Sequence, residues 1–162
     1  MNERCPPDRE TGRARPPGGP ERKPLGHTPP GWVGRGAVFF VTICCEERGR
    51  NQLCRPATVE LLLGAARHYH ERQDWFVRQM LLMPDHVHAL IAPTPDKDLS
   101  RLIGDWKRYT ALKAGIQWQK NFFEHRLRGD EGWAEKAVYI KANPVWAGLC
   151  GENEPWPFQI EY

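Results

Sequence analysis

The sequence contains no C-x-x-C pair, no internal repeat and no apolar run approaching the roughly eighteen residues of a membrane helix. Its five cysteines, Cys5, Cys44, Cys45, Cys54 and Cys150, are odd in number and lack metal-ligand spacing. That pattern argues against a zinc ribbon and against a disulfide scaffold, and it points to reduced thiols in a cytosolic protein. No apolar segment follows Met1, so the N-terminus does not read as a secretory signal. The expectation is a soluble, intracellular chain with no membrane partner. Charge of one sign is also scarce. A formal net charge of +3 and a pI near 8.7 are compatible with a polyanionic partner but do not require one.

What is present divides the 162 residues into a tail and one domain. Residues 1–30 hold eight prolines, six Arg/Lys, four Asp/Glu and few large apolar side chains. Such a segment buries too little to offset its ordering entropy, so a flexible tail is expected there, with a domain at 31–162. AVFFVTICC, from Ala37, is rich in β-branched and aromatic residues and reads as a strand. Adjacent Cys44 and Cys45 should then point to opposite faces. After Pro56 the spacing predicts a helix whose stripe is Leu61, Leu62, Ala65, Ala66 and Tyr69. WFVRQMLLM and HVHALIA read as strands joined through Pro84 and Asp85 alone, a tight antiparallel hairpin. A second helix follows, with Leu99, Leu102, Ile103, Trp106, Tyr109 and Leu112 at steps of three and four, and Gly115 as its stop. FFEHRLR suggests a fourth strand. A third helix spans DEGWAEKAVYIKAN, has acidic residues in its first turn and is expected to end at Pro144; an extended tail follows. The order β-α-β-β-α-β predicts an α+β, ferredoxin-like antiparallel sheet with helices on one face, plus a C-terminal helix.

His86 and His88 are two residues apart on a strand, so their imidazoles share a face and can chelate one cation. Two imidazoles alone would also suit zinc or nickel. A phosphodiester reaction more often uses Mg²⁺ or Mn²⁺, which calls for an additional oxygen ligand. Asp85 could orient an imidazole, although serving the turn is the plainer reading. On the third helix Tyr139 and Asn143 lie one turn apart on one face. If that face meets the histidines, Asn143 offers a carbonyl oxygen to the metal and Tyr139 a phenol nucleophile that needs activation. A helical tyrosine beside Val138 and Ile140 is more often a core residue. Tyr69 and Tyr109 also compete; Tyr69 sits on an apolar stripe, and Tyr109 suits a phosphate contact.

From Arg101 to Arg128 seven basic residues face only Asp105 and Glu124, a local net of +5. Aromatic residues are interleaved. Cations for phosphates and rings for unstacked bases suit single-stranded nucleic acid. The candidate contacts are Lys107, Arg108, Tyr109, Lys113, Trp118, Lys120, Arg126 and Arg128, with Lys136 and Lys141 flanking Tyr139. Trp106 and Phe122 are expected in the core, and Gln117, Trp118 and Gln119 at the surface.

Taken together, FFVTIC, LLMPDHVHALI, DWKRYTALKAGIQWQKNFFEHRLR, YIKANPVWAGL and PWPF resemble the REP-associated tyrosine transposases, a branch of the IS200-like HUH single-strand transposases. The resemblance covers roughly residues 37–158. It implies a ferredoxin-like fold, a divalent cation (Mg²⁺ or Mn²⁺) and attack of a tyrosine on a DNA phosphate. The products would be a 5′-phosphotyrosine and a free 3′-hydroxyl. The family's metal-binding histidines match His86 and His88. Its nucleophile, four residues before the NP, matches Tyr139 and disfavours Tyr109; Asn143 of that NP is the candidate third ligand. The implied partner is single-stranded or hairpin DNA from repetitive extragenic palindromes, bound by a monomer or homodimer. Many relatives carry asparagine where this chain has Asp85. Two rival functions are a non-catalytic, domesticated module that binds palindromic hairpins, and an H-x-H metal protein acting on RNA or small phosphates.

Overall fold

The computed structural model describes residues 37–162. The expected tail at 1–30 and the opening of the expected domain at 31–36 lie outside them. The elements run β1 (Phe39–Cys44), α1 (Pro56–Glu71), β2 (Trp75–Met83), β3 (His86–Pro93), α2 (Leu99–Ala114), β4 (Phe123–Arg126), α3 (Gly129–Trp146) and β5 (Gln159–Glu161). The strands form one sheet in the order β4-β1-β3-β2-β5, with every neighbour antiparallel. The first four strands and two helices make the expected ferredoxin-like arrangement. Among the described residues, no helix is long and apolar enough to cross a membrane.

Strand periodicity assigns the sheet its two faces. Phe39, Val41, Ile43, Val87, Ala89 and Ile91 point to one side, where α1 and α2 cover them. Phe40, Leu81, Met83, Leu90 and Ala92 point to the other, where Ala137 and Ile140 of α3 close over them. His88 alternates with Val87 and Ala89, and so belongs to the α3 face. β3 begins directly after the Pro84–Asp85 turn, and its register sets Thr42 opposite His88 and Cys44 opposite His86.

Several local expectations need correction. In α1 the buried stripe is Leu62, Leu63, Ala65 and Ala66, with Leu63 in place of Leu61. In α2 it is Leu99, Leu102, Ile103, Trp106 and Thr110. Tyr109 (42% exposed) and Leu112 (80%) turn outward instead. The Thr110 hydroxyl makes this register possible: it donates to the Trp106 carbonyl at 2.9 Å and accepts the Trp118 indole N–H at 3.0 Å. Gly115 ends α2 as expected, in the left-handed conformation (φ 68°) that glycine adopts without steric cost.

Pro144 does not end α3, which continues to Trp146. A proline near a helix C-terminus removes one hydrogen bond without forcing the last residues out of the helix. Nor is the closing segment merely extended. β5 pairs with β2, while the Trp156 indole donates to the Leu82 carbonyl at 2.8 Å. Lys141 of α3 reaches Glu161 at 2.8 Å and ties the helix to this added edge strand. Cys45, Cys54 and Cys150 carry free thiols as expected.

Candidate active site

On the α3 face of β3, the His86 and His88 ring centroids are 4.7 Å apart and the planes are nearly perpendicular at 84°. Each ring has its Nδ1 engaged. His88 Nδ1 and the Thr42 hydroxyl are 3.0 Å apart, both buried. His86 Nδ1 lies 2.6 Å from Asp85 Oδ1. With Nδ1 held in this way, Nε2 is the nitrogen of each imidazole that a cation would take, the usual arrangement of a metal-binding histidine with its supporting partner.

Asp85 does more than serve the hairpin turn. Its second oxygen, Oδ2, accepts the Gly49 backbone N–H at 2.6 Å and pairs with Arg48 Nε at 3.1 Å. Burial alone would raise the Asp85 carboxyl. The hydrogen bonds from His86 and Gly49 and the nearby positive charges outweigh it and hold the pKa at about 2. The carboxylate thus stays ionised and fixes His86. His88 is kept uncharged instead: burial, then the nearby charges of His86 and Arg48, push its pKa well below the usual imidazole value against the Asn143 hydrogen bond. A neutral imidazole is the form that ligates a cation.

α3 brings its functional face to this spot. Asn143 is a side-chain hydrogen-bond neighbour of His88. Its amide nitrogen donates to the Tyr139 carbonyl one turn back at 2.8 Å, which anchors the side chain on the helix. The Tyr139 ring is half-buried and lies edge-on to His88 at 6.0 Å and to Phe40 at 6.0 Å. Phe40 stacks on His88 at 5.6 Å, forming the apolar floor. The Lys136 ammonium sits 5.1 Å from the Tyr139 ring centre and 5.3 Å from that of Phe40. Among the described residues no three His, Cys, Asp or Glu side chains cluster as a ligand set. The further donor beside the imidazole is the Asn143 side-chain amide. Two nitrogens and one carbonyl oxygen, with positions left for water and phosphate oxygen, fit a divalent cation.

The other sequence candidates are dispersed. Lys107, Arg108, Tyr109 and Lys113 ride on α2, on the opposite layer from the histidines. The Lys107 ammonium already donates to the carbonyls of Gln119 (2.7 Å) and Lys120 (3.0 Å), clamping the segment after α2. Arg108 pairs with Asp105 at 2.6 Å. Trp118 is not a surface residue: it is 8% exposed and packs on Trp106 at 5.5 Å in the core. Its side chain is drawn in because an isolated bridge to Cys45 pins its backbone to the sheet and Thr110 satisfies its N–H. Trp106 is core as expected. Lys120, Arg126 and Arg128 lie in or beside edge strand β4, and only Lys136 stands at the tyrosine itself.

Three neighbours of the site escaped sequence reasoning. Thr42 is visible only once the β1–β3 register is known. Arg48 lies in a polar loop with no periodicity. Trp146 lies past Pro144, yet it packs edge-on against Tyr139 at 5.6 Å; its spacing of seven residues from Tyr139 would have shown this had the helix been continued.

The transposase IS200-like family model matches residues 40–141, a span running from β1 through the histidine strand into the tyrosine helix. A REP-associated tyrosine transposase of Escherichia coli (strain K12) is 26% identical over 127 residues, covering 76% of each chain. A solved REP-associated tyrosine transposase, bound to a REP hairpin, superposes with a TM-score of 0.67 at 25% identity, covering 77% of this chain and 76% of that one. With the family span taking in the H-x-H strand and most of the helix that faces it, the chain belongs to the IS200-like transposases, enzymes that cut and transfer DNA strands.

Proposed function

We propose that the protein is a divalent-metal-dependent endonuclease and transposase of single-stranded DNA, acting on hairpin or repetitive palindromic sequences through a 5′-phosphotyrosine. The observation that carries this reading is the meeting of Tyr139, Asn143 and His88 on one face of the sheet, with His86 beside them.

Tyr139 is the nucleophile. Its phenol oxygen bonds to the phosphorus of the scissile phosphate, and the bond from phosphorus to the 3′ oxygen breaks. The 5′ end remains on Tyr139 and a free 3′-hydroxyl departs. The cation, Mg²⁺ or Mn²⁺, supplies Lewis-acid withdrawal of charge from the phosphate. His86, His88 and Asn143 would hold it. Thr42 and Asp85 orient the imidazoles, and Lys136 places a positive charge beside the phenol, where the phosphate must come. Lys120, Arg126, Arg128 and Lys141 extend the DNA contact around α3 and β4; Lys107, Arg108, Tyr109 and Lys113 reach only DNA that wraps past the β4 edge. The related protein bound to a REP hairpin supports hairpin DNA as the partner. The protein works as a monomer or homodimer in the bacterial cytoplasm, on the nucleoid when DNA-bound.

The test is a denaturing gel of hairpin-tipped single-stranded DNA incubated with protein and Mg²⁺ or Mn²⁺. Wild type gives a protein–DNA adduct, whereas Tyr139→Phe gives none and retains the gel shift. An adduct that persists in Tyr139→Phe, or disappears in Tyr109→Phe, refutes the assignment. A shift without an adduct in any metal means a binding module.

A further inference from the structure

We infer that Trp146 and Phe123 are base-stacking residues that hold the nucleotides on either side of the scissile phosphate. This rests on the single-strand reading above and deepens it.

Trp146 is 67% exposed although it is the largest side chain on the last turn of α3. Its ring stands 5.6 Å from the Tyr139 ring. Phe123, at the start of β4, is 45% exposed and is opposite Thr42 in the β1–β4 register, so it projects from the histidine face. It lies edge-on to Phe40 at 6.2 Å. The sequence of rings Trp146, Tyr139, Phe40 and Phe123 therefore crosses the site continuously. Its two ends are the exposed rings, Phe40 is buried, and the half-buried Tyr139 phenol lies between the ends. The Lys136 ammonium sits over the two middle rings. A cation at the centre with open ring faces at both ends matches one phosphate flanked by two unstacked bases. A protein partner would fit this strip poorly, because its middle is charged. Base stacking on aromatic faces tolerates any sequence, so these residues set position along the strand rather than base identity.

The experiment uses the full-length Tyr139→Phe protein and a hairpin oligonucleotide with a thymidine arm carrying one 2-aminopurine at each position in turn. The expected result is quenching at positions next to the bond that wild type cuts, on one side relieved by Trp146→Leu and on the other by Phe123→Leu. Affinity for the arm should fall about 5- to 150-fold in each leucine variant, and Trp146→Phe should recover most of it. Unchanged quenching and affinity in Trp146→Leu, with a native melting profile, overturns the inference. So does a change in sedimentation mass with DNA affinity per protomer unaltered, which makes the face a contact between copies. If wild type forms no adduct but two neighbouring positions of the arm are quenched, one relieved by Trp146→Leu and the other by Phe123→Leu, the nuclease reading fails and the stacking inference stands.

Discussion

His88 shows how burial and hydrogen bonding together prepare an imidazole to take a cation. The ring is buried, held on one nitrogen by Thr42, met by Asn143 and kept neutral mainly by desolvation. That His86 and His88 share a face follows from strand period alone, so this part of the site was legible. The partners of the rings were not, because they depend on cross-strand register and on loop 46–50. Replacing a partner that orients a metal-binding histidine typically weakens metal affinity 10–100-fold. Asp85→Asn and Thr42→Val should each do so in Mn²⁺ titration calorimetry; affinities equal to wild type would show that the imidazoles need no such support. Asp85 also has a pH signature. Its folded pKa is depressed, so the stability it contributes is present above the ordinary value of 3.8 and lost as pH falls toward about 2. Chemical denaturation of Asp85→Asn between pH 5 and 2 should therefore show a shallower loss of stability than wild type; identical slopes would contradict the ion-pair account.

The helices were found at the element scale, but their faces and ends were only partly readable. In α2 the period placed Leu99 through Trp106 correctly and failed in the last two turns, where Thr110 takes the inward position by satisfying its hydroxyl locally. An apolar count cannot anticipate a buried hydroxyl. In α3 the proline rule gave too early an end and hid Trp146 from its relation to Tyr139. In β5, three residues bridge to an edge strand that the first four strands leave open, and so short a pairing carries almost no sequence signal. Trp118 offers the sharpest contrast between composition and packing. Its flanking polar residues suggested a surface ring, yet it fills the core beside Trp106. Trp118→Ala should cost about 3–5 kcal/mol in denaturant unfolding, whereas Arg108→Ala, on the exposed side of α2, should stay within about 0.5 kcal/mol. A Trp118→Ala loss below about 1 kcal/mol would place the ring outside the core.

Across the whole molecule the sheet separates two tasks. One layer, α1 and α2, stabilises the fold and carries a solvated cationic helix; the other, α3, closes over the histidine face and carries the proposed nucleophile. Chain order gave the ferredoxin-like fold, but local net charge could not tell which layer a cation would join. The separation predicts different behaviour from two sets of cations. Arg108→Ala with Lys113→Ala should leave single-turnover cleavage of a minimal hairpin within about twofold of wild type and reduce the salt dependence of binding only on longer DNA. Lys136→Ala should slow cleavage of the minimal hairpin by at least about tenfold. Equal effects from both would mean that the scissile strand runs over α2. The most direct measurement of the central claim is an anomalous-scattering map from crystals of the Tyr139→Phe protein grown with Mn²⁺ and hairpin DNA. The account predicts one manganese peak at the side chains of His86, His88 and Asn143, with a DNA phosphate bound on the same α3 face of the sheet. A peak on other residues, or a phosphate bound on the α2 layer, would contradict it.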